Sequence, residues 1–342
     1  MDSPLLTFII PAYNMATYLG RCVGSLTAAD HGDAIEVIIV DDGSTDDTGR
    51  LADIWASRKP DVVRVIHQTN KGHGGAVNTG IDEARGMYVK VVDADDWVGA
   101  DSLDRVLTTL ESQADAPAPV DLLVTDYVYD KLGKRNKHVV RFGRVMPPGR
   151  VLGWNDLHRF GITQYMIMHA LTFRTAVVRA SGMRLPEHTF YVDFLYSYQP
   201  FPWVRTLMYL DTPFYHYFIG RDGQSVQTDV MIRRVDQLQR VNRLMAEATP
   251  EPGMVPDGLY RYMIHFLAIN SVVTSVFLIL SHDPSNYRAK DRLWAGLDEV
   301  SPRIGRDVRR KVISRAINLR GSTGRFLIRQ GYRIAEGMVG FN

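Results

Sequence analysis

Cys22 is the only cysteine among 342 residues. That excludes an internal disulfide and a cysteine zinc cluster, and it makes a reducing compartment the expectation. Net charge is also small, +2, and names no partner by itself. The opening stretch MDSPLLTFIIPAYN has no basic leader, and its apolar run meets Pro11 after a few residues. A first strand stopped by Pro11 is expected there, not a signal peptide. No GxGxxG follows that strand and no glycine-rich loop ends in GK[ST], so neither a dinucleotide fingerprint nor a Walker loop is supported. At this length, with 45% hydrophobic residues, one large α/β domain with a smaller addition is expected.

The stretch with most to say is MYVKVVDADDW, residues 87–97. Val89, Val91 and Val92 read as a buried parallel strand, interrupted in character only by Lys90, and the strand breaks into Asp93, Asp95 and Asp96. Ligands gather at the carboxyl ends of strands in open α/β sheets. Carboxylates this crowded repel one another unless a cation or a donor-rich ligand lies between them, and Mg²⁺ or Mn²⁺ completed by phosphates suits such a site. A solvated acidic turn is the alternative for these three acids alone.

Upstream, strand and helix alternate. Residues 5–10, 35–40 and 62–66 read as strands, and 16–28 and about 48–58 as helices, the second capped from Thr45-Asp46-Asp47. A glycine-rich loop over 72–75 leads into a helix carrying Ala76, Val77, Ile81 and Ala84. Such alternation predicts a parallel sheet. It brings Tyr13-Asn14, Asp41-Asp42-Gly43 and Asp93–Asp96 to one edge. The glycines read either as small residues that admit a ligand to the backbone beside Lys71, or as a plain turn before a helix.

Ile10-Pro11-Ala12-Tyr13-Asn14, Val40-Asp41-Asp42-Gly43-Ser44-Thr45-Asp46, Asn70-Lys71-Gly72 through Asn78-Thr79-Gly80, and Val92-Asp93-Ala94-Asp95-Asp96 together resemble the nucleotide-sugar-binding half of the family 2 glycosyltransferases, over roughly residues 5–110. The resemblance implies a GT-A (Rossmann-like) α/β fold, with a mostly parallel sheet flanked by helices, and inverting transfer from a nucleotide-diphosphate sugar. It implies that Pro11, Ala12, Tyr13 and Asp42 hold the base, usually uracil, that Lys71 helps with the nucleoside, and that Asn14 and Gly72 belong to the same donor site. By the same resemblance Asp93 meets ribose or donor sugar, Ala94 lines the donor site, and Asp95 binds the metal, Mn²⁺ or Mg²⁺.

Inverting transfer needs a carboxylate base on the opposite face of the anomeric carbon. Relatives carry a Glu-Asp pair at a helix start where this chain has Val192-Asp193. Asp193 is therefore the candidate base, with a plain N-cap as its alternative and Glu187 and His188 as nearby substitutes. Residues 209–218 followed by Arg221, Gly223 and Ser225 resemble the family's aromatic strand and closing loop, with Arg221 as a diphosphate clamp. His216 is a tentative metal ligand against the alternative of a packed strand residue. Trp154, Tyr165 and Trp203 can stack on an acceptor sugar or be core.

The last third changes character: helical patterns run over 229–248, 257–281, 287–299, 302–319 and 322–336. Residues 263–280 approach membrane-span length, but interior polar residues favour a buried helix or oligomer contact. Between Arg288 and Arg333 there are 13 Lys or Arg against 4 Asp or Glu, a local +9, so the remainder carries −7. Basic helices of this kind suit an anionic membrane surface or an anionic acceptor, or else form a solvated face or subunit interface.

The expected organisation is a transferase domain over 1–225, with a donor half 1–112 and an acceptor half 113–225, and a helical C-terminal region over 226–342. The expected function is cytoplasmic transfer, at the inner face of the membrane, of a sugar from a UDP-sugar to a hydroxyl of a cell-surface or exported glycan or lipid-linked acceptor. No repeated unit or separate carbohydrate-binding module is visible, which favours single-sugar addition. A catalytically silent sugar-nucleotide-binding scaffold is the alternative from another class. A nucleotidyltransferase would want a glycine-rich, lysine-bearing loop after the first strand, and nucleic-acid binding rests on the basic tail alone.

Overall fold

A computed structural model describes residues 3–28, 31–133, 137–220, 224, 227–319 and 321–339, with side chains through residue 333. The chain forms two compact units, Met1–His158 with Met166–Phe218 and Arg159–Tyr165 with Ile219–Asn342.

The first unit alternates as the apolar runs dictate: β1 (Leu6–Ala12), α1 (Ala16–Leu26), β2 (Ile35–Asp41), α2 (Thr48–Arg58), β3 (Val63–His67), α3 (Gly72–Glu83) and β4 (Tyr88–Val91). Then come β5 (Trp97–Val98), α4 (Ala100–Ala114), β6 (Leu122–Lys131), β7 (His138–Val140), β8 (Val151–Leu152), β9 (Leu171–Arg174), α5 (Thr175–Ala180), α6 (Asp193–Tyr196) and β10 (Leu207–Ile219). They build one ten-stranded sheet of order β3-β2-β1-β4-β9-β6-β10-β5, with β7 on β6 and β8 on β10. Pairing is parallel among β3, β2, β1 and β4 and antiparallel from β4 to β9 onward. Every residue of β1, β2 and β4 is buried, as strands covered on both faces must be.

Pro11 does not stop the first strand. It pairs in register with Val40, and the strand runs on to Ala12. The ladder from β4 ends at Ile9↔Val91, with Val92 N donating to Ile9 O. By the alternation of a parallel strand, the N–H that Pro11 lacks would point to the β4 side, where that strand has already turned away. Polar groups inside this layer are paired: Glu36 accepts from Thr7 Oγ1 at 2.7 Å, Arg64 Nε at 3.0 Å and Arg85 N at 2.9 Å.

The second unit is helical: α7 (Thr228–Arg233), α8 (Val235–Glu247), α9 (Asp257–Leu280), α10 (Pro284–Val300), α11 (Pro302–Arg309), α12 (Val312–Ile317) and α13 (Gly321–Val339). Two expected helices are each divided. Arg234, at φ −114° and ψ 24°, breaks the run over 229–248, and extended Lys311, at ψ 142°, breaks the run over 302–319. α9 has 24 residues and a mean hydropathy of 2.1 over an 18-residue window, enough by length and composition to cross a membrane, yet that window is 72% buried inside the protein. Its polar residues are paired within the unit: Asn242 Nδ2 donates to Asn270 Oδ1 at 2.8 Å and Ser271 Oγ at 2.9 Å, and Trp294 Nε1 donates to Ser275 Oγ at 3.0 Å. A core helix whose polar side chains find partners, Asn270 Nδ2 alone among those named being left without one, accounts for this pattern.

Candidate active site

The loops after β1, β2 and β4 meet at one sheet edge, as their strand order requires. Asn14, in the left-handed region at φ +54°, ties the first two together: its Oδ1 accepts from Thr45 N at 2.8 Å and its own N donates to Ser44 Oγ at 3.1 Å. Pro11 and Ala12 are buried beneath, while Tyr13 is 46% exposed at the strand end. Asp46, the residue before the N-cap Asp47, accepts from Thr48 N at 2.9 Å and so takes up the first N–H of α2, within the Thr45-Asp46-Asp47 signal.

Asp42 is buried and already engaged. Its Oδ1 accepts from Gln68 Nε2 at 2.6 Å and Lys71 N at 2.8 Å, and its Oδ2 accepts from Gly72 N at 2.8 Å. A carboxylate thus closes the amino end of α3, where free N–H groups and the helix dipole favour negative charge.

The glycines after Lys71 form the first turn of α3 and not a loop, and they admit protein. At Gly72, φ is +75°, and a Cβ there would stand 2.8 Å from His188 N. At Gly74 a Cβ would stand 2.6 Å from Pro186 O and 3.0 Å from Leu185 Cβ. Asn78 clasps the same segment, accepting from Leu185 N at 3.0 Å and donating to Leu185 O at 2.8 Å, while His188 N donates to Lys71 O at 2.9 Å. The segment leads through Tyr191, at φ +65°, to Asp193, the first residue of α6. The small residues therefore seat the segment that carries the candidate base.

At the end of β4, Asp93 Oδ1 lies 2.8 Å from His73 Nε2. Burial opposes the charge on His73, but the charge and hydrogen bond of Asp93, with Asp193 and Asp95 beyond, outweigh it and hold this imidazole above its ordinary pKa. Asp193 is pushed up to about 6, by burial first and by the charge of Asp93, with His73 pulling the other way. Those couplings place Asp193, His73 and Asp93 in one electrostatic cluster. Asp95 is buried, its carbonyl accepting from Arg21 Nη2 at 2.7 Å, and Ala94 is buried beside it. Arg21 in turn lies over the Trp97 ring at 3.9 Å.

Asp96 is fully buried, accepting from Tyr215 OH at 2.5 Å and Phe218 N at 2.7 Å. Burial, then the charges of Asp95 and Asp93, drive its pKa well above the carboxylate range. Among the described residues, Asp93, Asp96 and His169 form a group of three whose carboxylate and imidazole ligand atoms all lie within 4.8 Å of one another. His169 stacks on Tyr215 at 4.4 Å, burial lowers its pKa to about 4, and its buried Nδ1 has no hydrogen-bond partner. A neutral imidazole with a spare buried nitrogen beside crowded carboxylates is a donor set that fits a divalent cation. Lys90 supports this layer from a fully buried position, donating to His169 O at 2.7 Å and Leu171 O at 3.2 Å, and burial lowers its pKa to about 7.

His216 is not in that group. It pairs with Trp97 across β10 and β5, stacks on that ring at 5.2 Å, and lies 3.4 Å from Asp130 Oδ2. Trp154 is core, its Nε1 donating to Val204 O at 2.7 Å, whereas Trp203 is 46% exposed. Tyr165 packs on Phe266 at 4.7 Å in the helical unit. Arg221 lies outside the described residues. His73, His169 and the clasp by Asn78 on Leu185 were not anticipated as parts of the site. Nothing in the spacing of His73 or His169 distinguishes either from a core histidine.

Strand order, an acidic edge after β4 and a helical second unit define a GT-A fold. TarS 1–349 of S. aureus in complex with UDP-GlcNAc superposes with a TM-score of 0.70 at 19% identity, over 96% of this chain and 92% of that one. A mannosyltransferase from Pyrobaculum calidifontis, in complex with GDP-Man and Mn²⁺, gives a TM-score of 0.53 at 18% identity, over 88% and 87%. Residues 7–168 match the family model described as Glycosyl transferase family 2. EpsH of Bacillus subtilis is 30% identical over 233 residues, which span 64% of this chain and 62% of EpsH. Residues 7–168 are thus similar to glycosyl transferase family 2, and the chain spans 62% of the length of EpsH.

Proposed function

We propose that the protein is an inverting glycosyltransferase that moves a sugar from a UDP-sugar to a hydroxyl of a glycan or lipid-linked acceptor destined for the cell surface or export. The observation that carries this reading is geometric: the loops after β1 and β2 are tied together at the carboxyl edge of the parallel strands, and the segment leading to Asp193 is seated against the first turn of α3. Exposed Tyr13 offers a face to the base, with Asp42 and the amino end of α3 behind it. Asp193 receives the proton of the acceptor hydroxyl as that oxygen bonds to the anomeric carbon. The bond from that carbon to the diphosphate oxygen breaks on the opposite side, and the centre inverts. The raised pKa of Asp193 suits it to accept a proton near neutrality. Asp93, Asp96 and His169, with Asp95 next to them in the chain, would hold Mn²⁺ or Mg²⁺, which supplies positive charge to the departing diphosphate. His73, whose pKa is raised by its 2.8 Å contact with Asp93, steadies that carboxylate.

The transferase is assigned to residues 1–225, and residues 226–342 form the remainder. A cytoplasmic location is supported by the single free cysteine, and contact with an anionic membrane by the basic stretch 288–333. Thermal-shift binding of UDP-, GDP-, CMP- and dTDP-sugars, each with Mn²⁺ and with chelator, tests the donor assignment. A metal-dependent shift confined to UDP-sugars and lost in Asp95→Ala is expected. Absence of a shift with every nucleotide would overturn the reading.

A further inference from the structure

The helical unit holds a cavity of its own, about 690 Å³, among α9, α10, α11, α12 and α13. Lys290, Arg309, Arg315 and Arg325 line it against a single acid, Asp291. Arg309 is committed to Asp298 and to the carbonyl of Trp294. The other cations are not neutralised in this way: Lys290 donates to neutral Asn318 Oδ1 at 2.8 Å, and Arg325 lies over the Tyr287 ring at 4.8 Å. Among the described residues, none of Lys290, Arg315 and Arg325 forms an ion pair. Burial also pulls the Lys290 pKa below its ordinary value.

Ser314 is a second, independent sign. It lines the cavity, it is 0% exposed, and its hydroxyl has no hydrogen-bond partner. Buried hydroxyls are rarely left so, because the lost hydration is not repaid. Ile279, Ile317 and Leu319 give the same cavity an apolar wall. Unpaired cations with an orphaned hydroxyl select a compact oxyanion, and guanidinium forks match phosphate geometry. The volume falls within the range of small-molecule sites and exceeds what a bare ion needs.

We infer that this cavity binds an organic phosphate, its phosphoryl oxygens meeting Lys290, Arg315, Arg325 and the Ser314 hydroxyl, and its carbon portion lying against Ile279, Ile317 and Leu319. The site is separate from the one proposed for the nucleotide-sugar, and its test reads binding, not transfer. The full chain is titrated calorimetrically with sn-glycerol 3-phosphate, and in parallel is sedimented with phosphatidylcholine vesicles with and without phosphatidic acid. Arg315→Gln with Arg325→Gln should weaken binding by about tenfold or more. Arg303→Gln with Arg306→Gln, on the exposed side of α11, removes the same charge and should change it by less than about twofold. Ser314→Ala should weaken binding several-fold while leaving the thermal midpoint of the free protein unchanged or higher, because it removes an unsatisfied buried hydroxyl. That variant keeps the test decisive if the double arginine variant folds poorly. Binding to soluble phosphate assigns a free metabolite, whereas cavity-dependent binding to phosphatidic acid vesicles alone assigns a lipid headgroup. Binding to neither probe overturns the inference, as does equal weakening by the two double variants.

Discussion

Replacing Gly74 by alanine would place a methyl carbon 2.6 Å from the carbonyl oxygen of Pro186 and 3.0 Å from Leu185 Cβ. Neither obstacle is the tip of a flexible side chain. The backbone of Leu185 is held on both its N–H and its carbonyl by Asn78, and His188 N is held by Lys71 O, so the segment is pinned on both sides of the clash. Overpacking against atoms that cannot swing aside costs about 1–3 kcal/mol. The relief open to the chain is a shift of residues 186–192, which already hold His188 at φ +47° and Tyr191 at φ +65°. Asp193 moves with them, and a misplacement of about 1 Å in a reacting group costs up to about 10²-fold in rate. Gly74→Ala should therefore lower the denaturant midpoint by the equivalent of about 1–3 kcal/mol and cut kcat by about tenfold or more, with donor KM changed by less than about threefold. The assay is equilibrium unfolding alongside steady-state transfer with a UDP-sugar. Wild-type stability and kcat together would refute the seating argument. A raised donor KM with kcat intact would instead mean that the glycine meets ligand.

Asp193→Asn should lower transfer by about 10²–10⁴-fold while leaving the donor-induced thermal shift in place, as befits a lost general base; a scaffold would lose nothing measurable. The titration of Asp193 predicts a pH effect on stability. In the ligand-free protein with chelator, its folded pKa of about 6 exceeds the ordinary 3.8, so between those values the folded state keeps a proton that the unfolded state has lost. Its contribution is thus most favourable at low pH and is lost as pH rises through 6. The difference in unfolding midpoint between Asp193→Asn and wild type should grow from pH 4 to pH 7, and a constant difference would contradict the raised pKa. Asn242→Leu strands Asn270 and Ser271 inside the helical unit, and should cost about 2 kcal/mol in chemical denaturation. An unchanged midpoint would count against α9 as a core helix.

The order of strands and helices in the first unit could be read from the sequence because each signal is local. The apolar runs 35–40 and 62–66 lie within a residue or so of β2 and β3, and the Thr45-Asp46-Asp47 signal marks the start of α2. The sequence also placed Asp93, Asp95 and Asp42 at one edge, since parallel strands with right-handed crossovers deliver their carboxyl ends to the same side. What depended on distant neighbours was not legible. Pro11 could be called a terminator until the departure of β4 after Val91 removed the need for its N–H. Gly72 and Gly74 looked free to receive a ligand because only the folded chain brings residues 185–188 against them. Likewise, His73 and His169 are separated in sequence from the carboxylates whose fields and spacing give them meaning, while His216 lies against Trp97 and Asp130. Periodicity and turn chemistry act over a few residues and are written in the sequence. Burial, charge coupling and close packing are sums over the folded neighbourhood, so tertiary structure alone decided that His73 and His169 lie against the carboxylates after β4 and that His216 does not.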